Sequence, residues 1–482
     1  MPFIYQSTDA FRFSFVRPIT GFRFLLIGLL ALSLPALAQR DNNNNYLDSL
    51  QNWSFHFQFT NVVQGHTAFK GGGYQGPNTL SPQADTALSV TATLFAGRRL
   101  WRGASLYFNP EIAGGRGVGH RDNQFPNNED LYNPAVGIAG FPNGETFRIG
   151  SPKPALYVAR LYLEQVIPLS DEGYSEILSE ANQVKQRLPE SRIVITAGKF
   201  ALVDLFDNNR YSHDPRTDFL NWALMSYGAW DYPANTRGYT YGLAVEYIRP
   251  TYAVRVAGSL MPKVANGNVL DWRFTRSGSL DLEFERQFKL LSRPGRVRLL
   301  GYRNVTKAPT YRSATEMLLA GTYPADRPYI LTGTTYGGVK YGFGVNLEQP
   351  IGRWGGLFGR ASWNDGRTAT WAFTEIDRSY SLGGNLNGSP WKRSNDAIGL
   401  AWITNGISPD HRAFLAAGGR GFMLGDGALP NYGSEHILEA NYNAHLARFL
   451  WMTADYQLVV NPGYNAGRGP VHLFALRTHL EI

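Results

Sequence analysis

Residues 53–60 read Trp53-Ser54-Phe55-His56-Phe57-Gln58-Phe59-Thr60. Side chains of a strand point alternately to opposite faces, so Trp53, Phe55, Phe57 and Phe59 share one side and Ser54, His56, Gln58 and Thr60 the other. The same contrast returns in Leu88/Val90/Ala92/Leu94 against Ser89/Thr91/Thr93, and in Leu280/Leu282/Phe284 against Asp281/Glu283/Glu285. It recurs in Val339/Tyr341/Phe343/Val345/Leu347 against Lys340 and Asn346. At the end of the chain Phe474, Leu476, Leu480 and Ile482 share a face with Thr478, opposite Arg477, His479 and Glu481. Such strands either pack the greasy face in a dry core or turn it to lipid around a wet interior. A dry core this long needs a second layer to cover it. The sequence has almost no helical pattern to supply one, so lipid outside and water inside is the expectation.

Working outward, the period-two pattern gives about sixteen strands: 53–64, 86–97, 104–114, 155–167, 192–200, 238–249, 251–261, 279–289, 296–305, 337–348, 354–364, 376–384, 395–405, 434–444, 449–460 and 471–482. Connections of one parity are short, as at Pro250, Gln349–Arg353 and His445–Arg448. Those of the other parity are long: about 65–85, 115–154, 201–237, 262–278, 306–336, 365–375, 406–433 and 461–470. The fold class is therefore all-β: a transmembrane antiparallel β-barrel with short periplasmic turns, long extracellular loops and one loop folded inward as a constriction. One periplasmic connection, 168–191, is long, and Glu176–Leu188 reads as a short amphipathic helix within it. Trp53, Trp101, Tyr107, Tyr157, Tyr239, Tyr252, Trp354, Trp402 and Tyr456 lie near strand ends, where an interfacial girdle belongs.

Composition agrees. The 482 residues are 13% aromatic and only 17% charged, against roughly 25% in soluble domains, with 52 Gly for turns. There is no Cys, which excludes a disulfide scaffold, a thiolate metal site and a cysteine nucleophile. The mean hydropathy of -0.26 is too polar for a helical membrane protein. Arg12, Arg17 and Arg23, the apolar run Phe24–Leu34 and Ala36-Leu37-Ala38 form an export signal with a small-residue cleavage site. The expected organisation is 1–38 signal peptide, removed; 39–52 flexible polar leader; and 53–482 a single barrel domain. Without the signal the net charge falls from +8 to +6 and is spread along the chain, so nucleic acid is not an expected partner.

Sixteen strands enclose an aqueous channel. Its narrowest point is expected in 201–237, which contains Asp204-Leu205-Phe206-Asp207-Asn208-Asn209-Arg210-Tyr211 and then Asp214-Pro215-Arg216. Asp214 reads as an N-cap and Pro215 as a first-turn residue, giving a short helix through about Leu224. Asp204, Asp207, Asn208, Asn209, Arg210, Asp214, Arg216, Asn221, Trp222 and Asp231 are the candidate path residues. Planar polar groups suit sugar hydroxyls, and aromatic faces suit sugar C–H surfaces. Alternation proposes Arg160, Glu164, Lys199, Glu246, Arg255, Arg298, Lys340 and Arg360 as lumen-facing charges, because a charge turned to mid-membrane lipid costs about 2–4 kcal/mol.

Gly198-Lys199-Phe200, Asp204–Tyr211, Asp214-Pro215-Arg216, Phe219–Leu224, Gly228-Ala229-Trp230-Asp231-Tyr232-Pro233, Gly238-Tyr239 and Val245-Glu246 resemble carbohydrate-selective porins of the OprB type. The resemblance has its core at about 196–270. It implies an outer-membrane barrel whose inward loops form a charged eyelet, passing mono- or oligosaccharides downhill into the periplasm. It implies no cofactor or metal; the other partners are outer-membrane lipids and the barrel-assembly machinery, with a monomer or a homotrimer both open. Two features depart from the pattern: the chain ends in Ile482 where many such barrels end in Phe, and loop 115–154, with Gly140-Phe141-Pro142-Asn143-Gly144-Glu145, is long. The rival readings are a general or weakly anion-selective porin, an outer-membrane hydrolase using Asp204 and Asp207, and an adhesin. No H-E-x-x-H or G-x-S-x-G spacing favours the enzyme.

Overall fold

The structure is a computed structural model. It describes residues 52–73, 76, 78–120, 136–149, 153–170, 173–290, 292–322 and 335–482; the expected signal 1–38 and the leader up to 51 lie outside these. The strands are β1 (Trp53–His66), β2 (Asp85–Trp101), β3 (Ala104–Gly115), β4 (Ala155–Pro168), β5 (Tyr174–Ile177), β6 (Gln186–Pro189), β7 (Arg192–Phe200), β8 (Thr240–Arg249) and β9 (Tyr252–Ser259). They continue as β10 (Gly278–Leu290), β11 (Arg293–Thr306), β12 (Gly338–Ile351), β13 (Gly355–Asn364), β14 (Arg378–Gly388), β15 (Arg393–Gly406), β16 (Glu435–Ala447), β17 (Leu450–Val460) and β18 (Val471–Glu481).

All but β5 and β6 form one closed antiparallel barrel of sixteen strands, each beside its sequence neighbour. β1 closes on β18 with Phe59 opposite Leu480 and Val62 opposite Arg477. Every expected strand is present, with ends within four residues of those read from the pattern. The faces are inverted relative to a soluble core. Phe55 is 61% exposed and Phe343 57%, whereas Thr91, Glu283 and Asn346 on the opposite face are buried. Only lipid outside makes that arrangement favourable. The tight turns use positive φ: at Gly103 (φ +73°) a Cβ would lie 2.3 Å from the Val166 carbonyl oxygen, so no larger residue fits.

The helix expected at Glu176–Leu188 is instead a β-hairpin. β5 pairs with β6 from Tyr174↔Pro189 to Ile177↔Gln186, and Asn182 (φ +57°) turns the tip. The wall overrides the local periodicity. Ser179 Oγ is 2.9 Å from His56 Nε2, Asn182 Oδ1 accepts from Asn109 Nδ2 (2.8 Å), and Lys185 O accepts from Arg99 Nη2 (2.7 Å). Val184 is fully buried in a cluster that includes Tyr107 and Tyr162. The hairpin therefore folds into the lumen at the end of the barrel where the short turns lie.

At the opposite end the long loops turn inward and carry their own core. Trp222, Trp230, Trp371, Phe206, Tyr227 and Phe422 are buried together within it. This corrects part of the expected girdle: Tyr107 and Tyr239 are each 1% exposed and face inward, while Trp53, Trp101, Trp354 and Trp402 remain exposed.

Candidate functional site

The loop 201–239 leaves β7 at Phe200 and rejoins the wall at Thr240. It begins with a single 3-10 turn, Leu202–Asp204. Asp204 accepts two hydrogen bonds from Arg160, Nε to Oδ2 at 2.7 Å and Nη2 to Oδ1 at 2.5 Å. Asp207, with φ +55°, is fully buried. Its carboxylate accepts from Arg360 Nε, Ser226 Oγ and the Tyr227 N–H, each at 2.9 Å. The Asp207 N–H donates to Glu283 Oε2 (2.7 Å), and the Arg210 N–H to Glu348 Oε2 (2.8 Å). Those two wall carboxylates belong to a ladder in which Arg255 pairs with Glu246 (2.8 Å), Glu283 (2.9 Å) and Glu285 (3.1 Å), and Arg298 with Glu285 (2.9 Å) and Glu348 (3.3 Å). Lys340 donates to the Thr368 carbonyl at 2.8 Å.

The charges read from alternation are, with one exception, inward, but they meet protein in place of water: Lys340 and Arg360 reach loop carbonyls, Arg160 the loop carboxylate of Asp204, and Glu246, Arg255 and Arg298 charged partners on the wall. Arg298, Lys340 and Arg360 are nearly inaccessible. Lys199 departs from the expectation. It lies opposite Leu161 and Tyr241, and its strand neighbour Ala197 lies opposite Leu243, which is 49% exposed; Lys199 thus has the outward parity. Its Nζ reaches the Val158 carbonyl (2.6 Å), freed where a bulge at β4 breaks the register between Arg160 and Val158.

The helix expected from Asp214 to Leu224 is interrupted. Asp214 does cap a turn, accepting from the Arg216 N–H at 2.9 Å, and the Asp218 N–H reaches the Asp214 carbonyl at 2.7 Å. The next donors are taken by the wall, since Leu220 and Asn221 N–H bind the Glu439 carboxylate (2.6 and 3.0 Å). Helix α1 (Trp222–Met225) then restarts with Asn221 as its cap, Oδ1 accepting from the Ala223 N–H. Trp222 stacks on Phe373 at 5.2 Å, and Asp231 receives the N–H groups of Trp371 and Ala372. Arg216 reaches Glu145 (3.2 Å), Gln58 (2.8 Å), Thr93 (3.2 Å) and Glu111 (3.1 Å). Of the candidate path residues, Asp207, Asn209, Arg216, Asn221, Trp222 and Asp231 are therefore anchors.

Arg160, Asp204 and Asp214 instead line a cavity of about 70 Å³, together with His213, Arg237 and Tyr239. Asn208 and Arg210 keep exposed side chains elsewhere on the loop. The Arg237 guanidinium lies 4.1 Å over the Tyr157 ring, and the Tyr157 and Tyr239 rings are 6.2 Å apart. Tyr157 and Tyr239 both donate to the Glu111 carboxylate. Burial, then the neighbouring Asp214 carboxylate, pushes the Asp218 carboxyl up to about 6 against the N–H groups of Asp214 and His213. Sequence reasoning missed Glu111, His213 and Arg237 as site residues. Strand alternation around Phe108 and Ile112 carries the signal for Glu111.

The loops 365–377 and 407–434 brace this assembly from above. Glu375 Oε2 accepts the Met423 and Leu424 N–H groups at 2.9 and 2.6 Å, and burial pushes its carboxyl up to about 8. The folded protein therefore keeps this proton over a pH range where the unfolded chain has lost it. The contribution of Glu375 to stability is complete at pH values below the ordinary carboxylate range and is lost as the pH rises through about 8. Melting of the purified barrel between pH 5 and 8 should show a decline that Glu375→Gln flattens, because the amide keeps an acceptor and cannot ionise. An identical slope in the variant would show that another group governs it.

Residues 77–481 match the family described as carbohydrate-selective porin, OprB family. The chain belongs to the OprB family. It is accordingly a carbohydrate-selective porin of the bacterial outer membrane, a channel and not an enzyme. The OprB-family fold is seen directly in the high-pH structure of Pseudomonas putida OprB, which covers 91% of this chain and 96% of its own at 17% identity, with a TM-score of 0.65. The outer membrane channel DcaP of Acinetobacter baumannii is similar at 7% identity and a TM-score of 0.47, covering 89% of this chain and 97% of its own. No curated protein matches the chain.

Proposed function

We propose that sugars cross this OprB-family barrel by passive diffusion through the gap bounded by Arg160, Asp204, Asp214, Arg237 and the Tyr157/Tyr239 pair, after export has removed residues 1–38. The observation that carries this reading is an Arg160–Asp204 bidentate pair, Arg237 and Tyr239 lining one small cavity, with Tyr157 stacked under Arg237 beside it. Fixed planar donors and acceptors match hydroxyl pairs, while ring faces match C–H surfaces. Charges of both signs across a narrow opening create a transverse field that favours polar neutral solutes over ions.

Liposome swelling with glucose, a disaccharide and an amino acid of similar size tests the reading. Arg237→Gln and Asp204→Asn should each lower the sugar-to-amino-acid rate ratio by roughly tenfold or more, the worth of one charge-assisted contact, while the barrel still forms. Equal ratios in wild type and both variants would place the selective step elsewhere. Preference for small anions over glucose would favour the weakly anion-selective alternative, which the proximity of Arg160 and Arg237 supports.

A further inference from the structure

The outside rim of the barrel carries a cationic cluster that the sugar path does not use. Arg273 and Arg276 lie on the segment before β10, Lys307 follows β11, and Tyr336 precedes β12. All three cations gather around one phenol ring: Arg273 Cζ and Lys307 Nζ are each 5.0 Å from the Tyr336 centroid, and Arg276 Cζ is 6.0 Å away. Asp271 answers part of this charge, accepting from Tyr336 Oη at 2.6 Å and from Arg273 Nε at 3.2 Å. Among the described residues Arg276 and Lys307 have no carboxylate partner, so the cluster keeps an excess of positive charge.

Its location identifies what meets that charge. Arg303 has the outward parity of β11, and Lys307 lies in the bend just past the end of that strand at Thr306. Arg303 stands between Leu280 and Tyr341 in the register, and these are 56% and 49% exposed on the lipid face. Arg303 has no ion pair among the described residues. Trp272 and Phe274, on the same segment as Arg273 and Arg276, are exposed as well, and Trp272 packs on Tyr241 of the outward face. The cations thus border the apolar belt on the side of the long loops. A guanidinium on a lipid-facing wall is costly unless an anion at the headgroup level meets it.

We propose that Arg273, Arg276, Arg303 and Lys307 bind the phosphate groups of an anionic lipid in the outer leaflet, whose apolar part packs on Trp272, Phe274, Leu280 and Tyr341. Phosphate accepts bidentate hydrogen bonds from Arg and a point charge from Lys. The apolar surroundings select a lipid over free phosphate, which would gain nothing from them.

Native mass spectrometry of the detergent-purified, delipidated barrel tests this with bis-phosphorylated lipid A, the same lipid after removal of its phosphates, and inorganic phosphate. Bound lipid A should survive desolvation, and the dephosphorylated lipid should bind roughly tenfold more weakly or worse, as expected when charge attraction is lost at a membrane surface. The triple variant Arg276→Gln/Arg303→Gln/Lys307→Gln should lose lipid A binding to a similar degree, with glucose-driven swelling unchanged as proof of an intact pore. Equal binding of both lipids to the unaltered protein overturns the proposal, whatever the variant does. Undiminished binding by the folded triple variant also overturns it, as does an inorganic phosphate complex as stable as the lipid complex.

Discussion

Arg216→Ala is expected to release the constriction loop from the wall and to raise single-channel conductance while abolishing discrimination among sugars. Arg216 is 3% exposed, and its guanidinium joins loop 201–239 to four other parts of the chain. Gln58 lies on β1, Thr93 and Glu111 on β2 and β3, and Glu145 on the inward segment 136–149. The two carboxylates are as buried as the arginine itself. Removing one partner from buried ion pairs leaves uncompensated charge, at a cost of about 3–5 kcal/mol. The barrel ladders do not depend on these contacts, so the cost falls on loop docking. Arg216→Lys should restore little, because an ammonium cannot serve acceptors spread around a planar fork. Planar-bilayer recordings and limited proteolysis between residues 201 and 239 check both variants together. Wild-type currents with a protease-resistant loop would mean that the Asp207–Arg360 and Asp231–Trp371 anchors suffice alone.

That division between wall and loop also explains which features were legible in the sequence. The Trp53–Phe59 alternation needs no information beyond the strand itself, because every second side chain meets the same solvent. The bounds and parity of the sixteen strands followed from it. Asp207 and Asp231, expected on the solute path, and Arg360, expected to face the lumen, are all buried inside the barrel as anchors. Whether such a group faces water or a neighbouring N–H depends on how deeply a loop some hundred residues away folds in, and no local pattern encodes that. Lys199 failed for a different reason. Both faces of Arg192–Phe200 carry apolar residues, Ile193 and Ile195 on one and Val194 and Phe200 on the other, so alternation there does not assign a side. The helix expected at Glu176–Leu188 has good amphipathic spacing, and only the pairing of Ser179, Asn182 and Lys185 with His56, Asn109 and Arg99 made the hairpin preferable.

The same hairpin sets up the second large effect. Replacing residues 178–185 by Asn-Gly would keep the β5–β6 ladder and remove the tip, since Asn-Gly closes a two-residue hairpin. The tip projects into the lumen at the end opposite to loop 201–239, so solute that clears the first narrowing meets it in series. Its removal should raise conductance by roughly twofold and admit larger oligosaccharides in swelling assays, since pore dimensions limit passage. Barrel assembly should survive. β4 and β7 pair with each other directly from Pro168↔Arg192 to Leu161↔Lys199, independent of the hairpin between them. His56, Asn109 and Arg99 would exchange their hairpin partners for lumen water, and the main loss would be burial of Val184, about 1.5–3 kcal/mol. Combining the deletion with Arg216→Ala separates the two narrowings. If they act in series, each change alone is limited by the other, and the double variant should exceed the sum of the single increases. Unaltered conductance and size cutoff in the hairpin variant would show that solute passes beside the tip without sensing it.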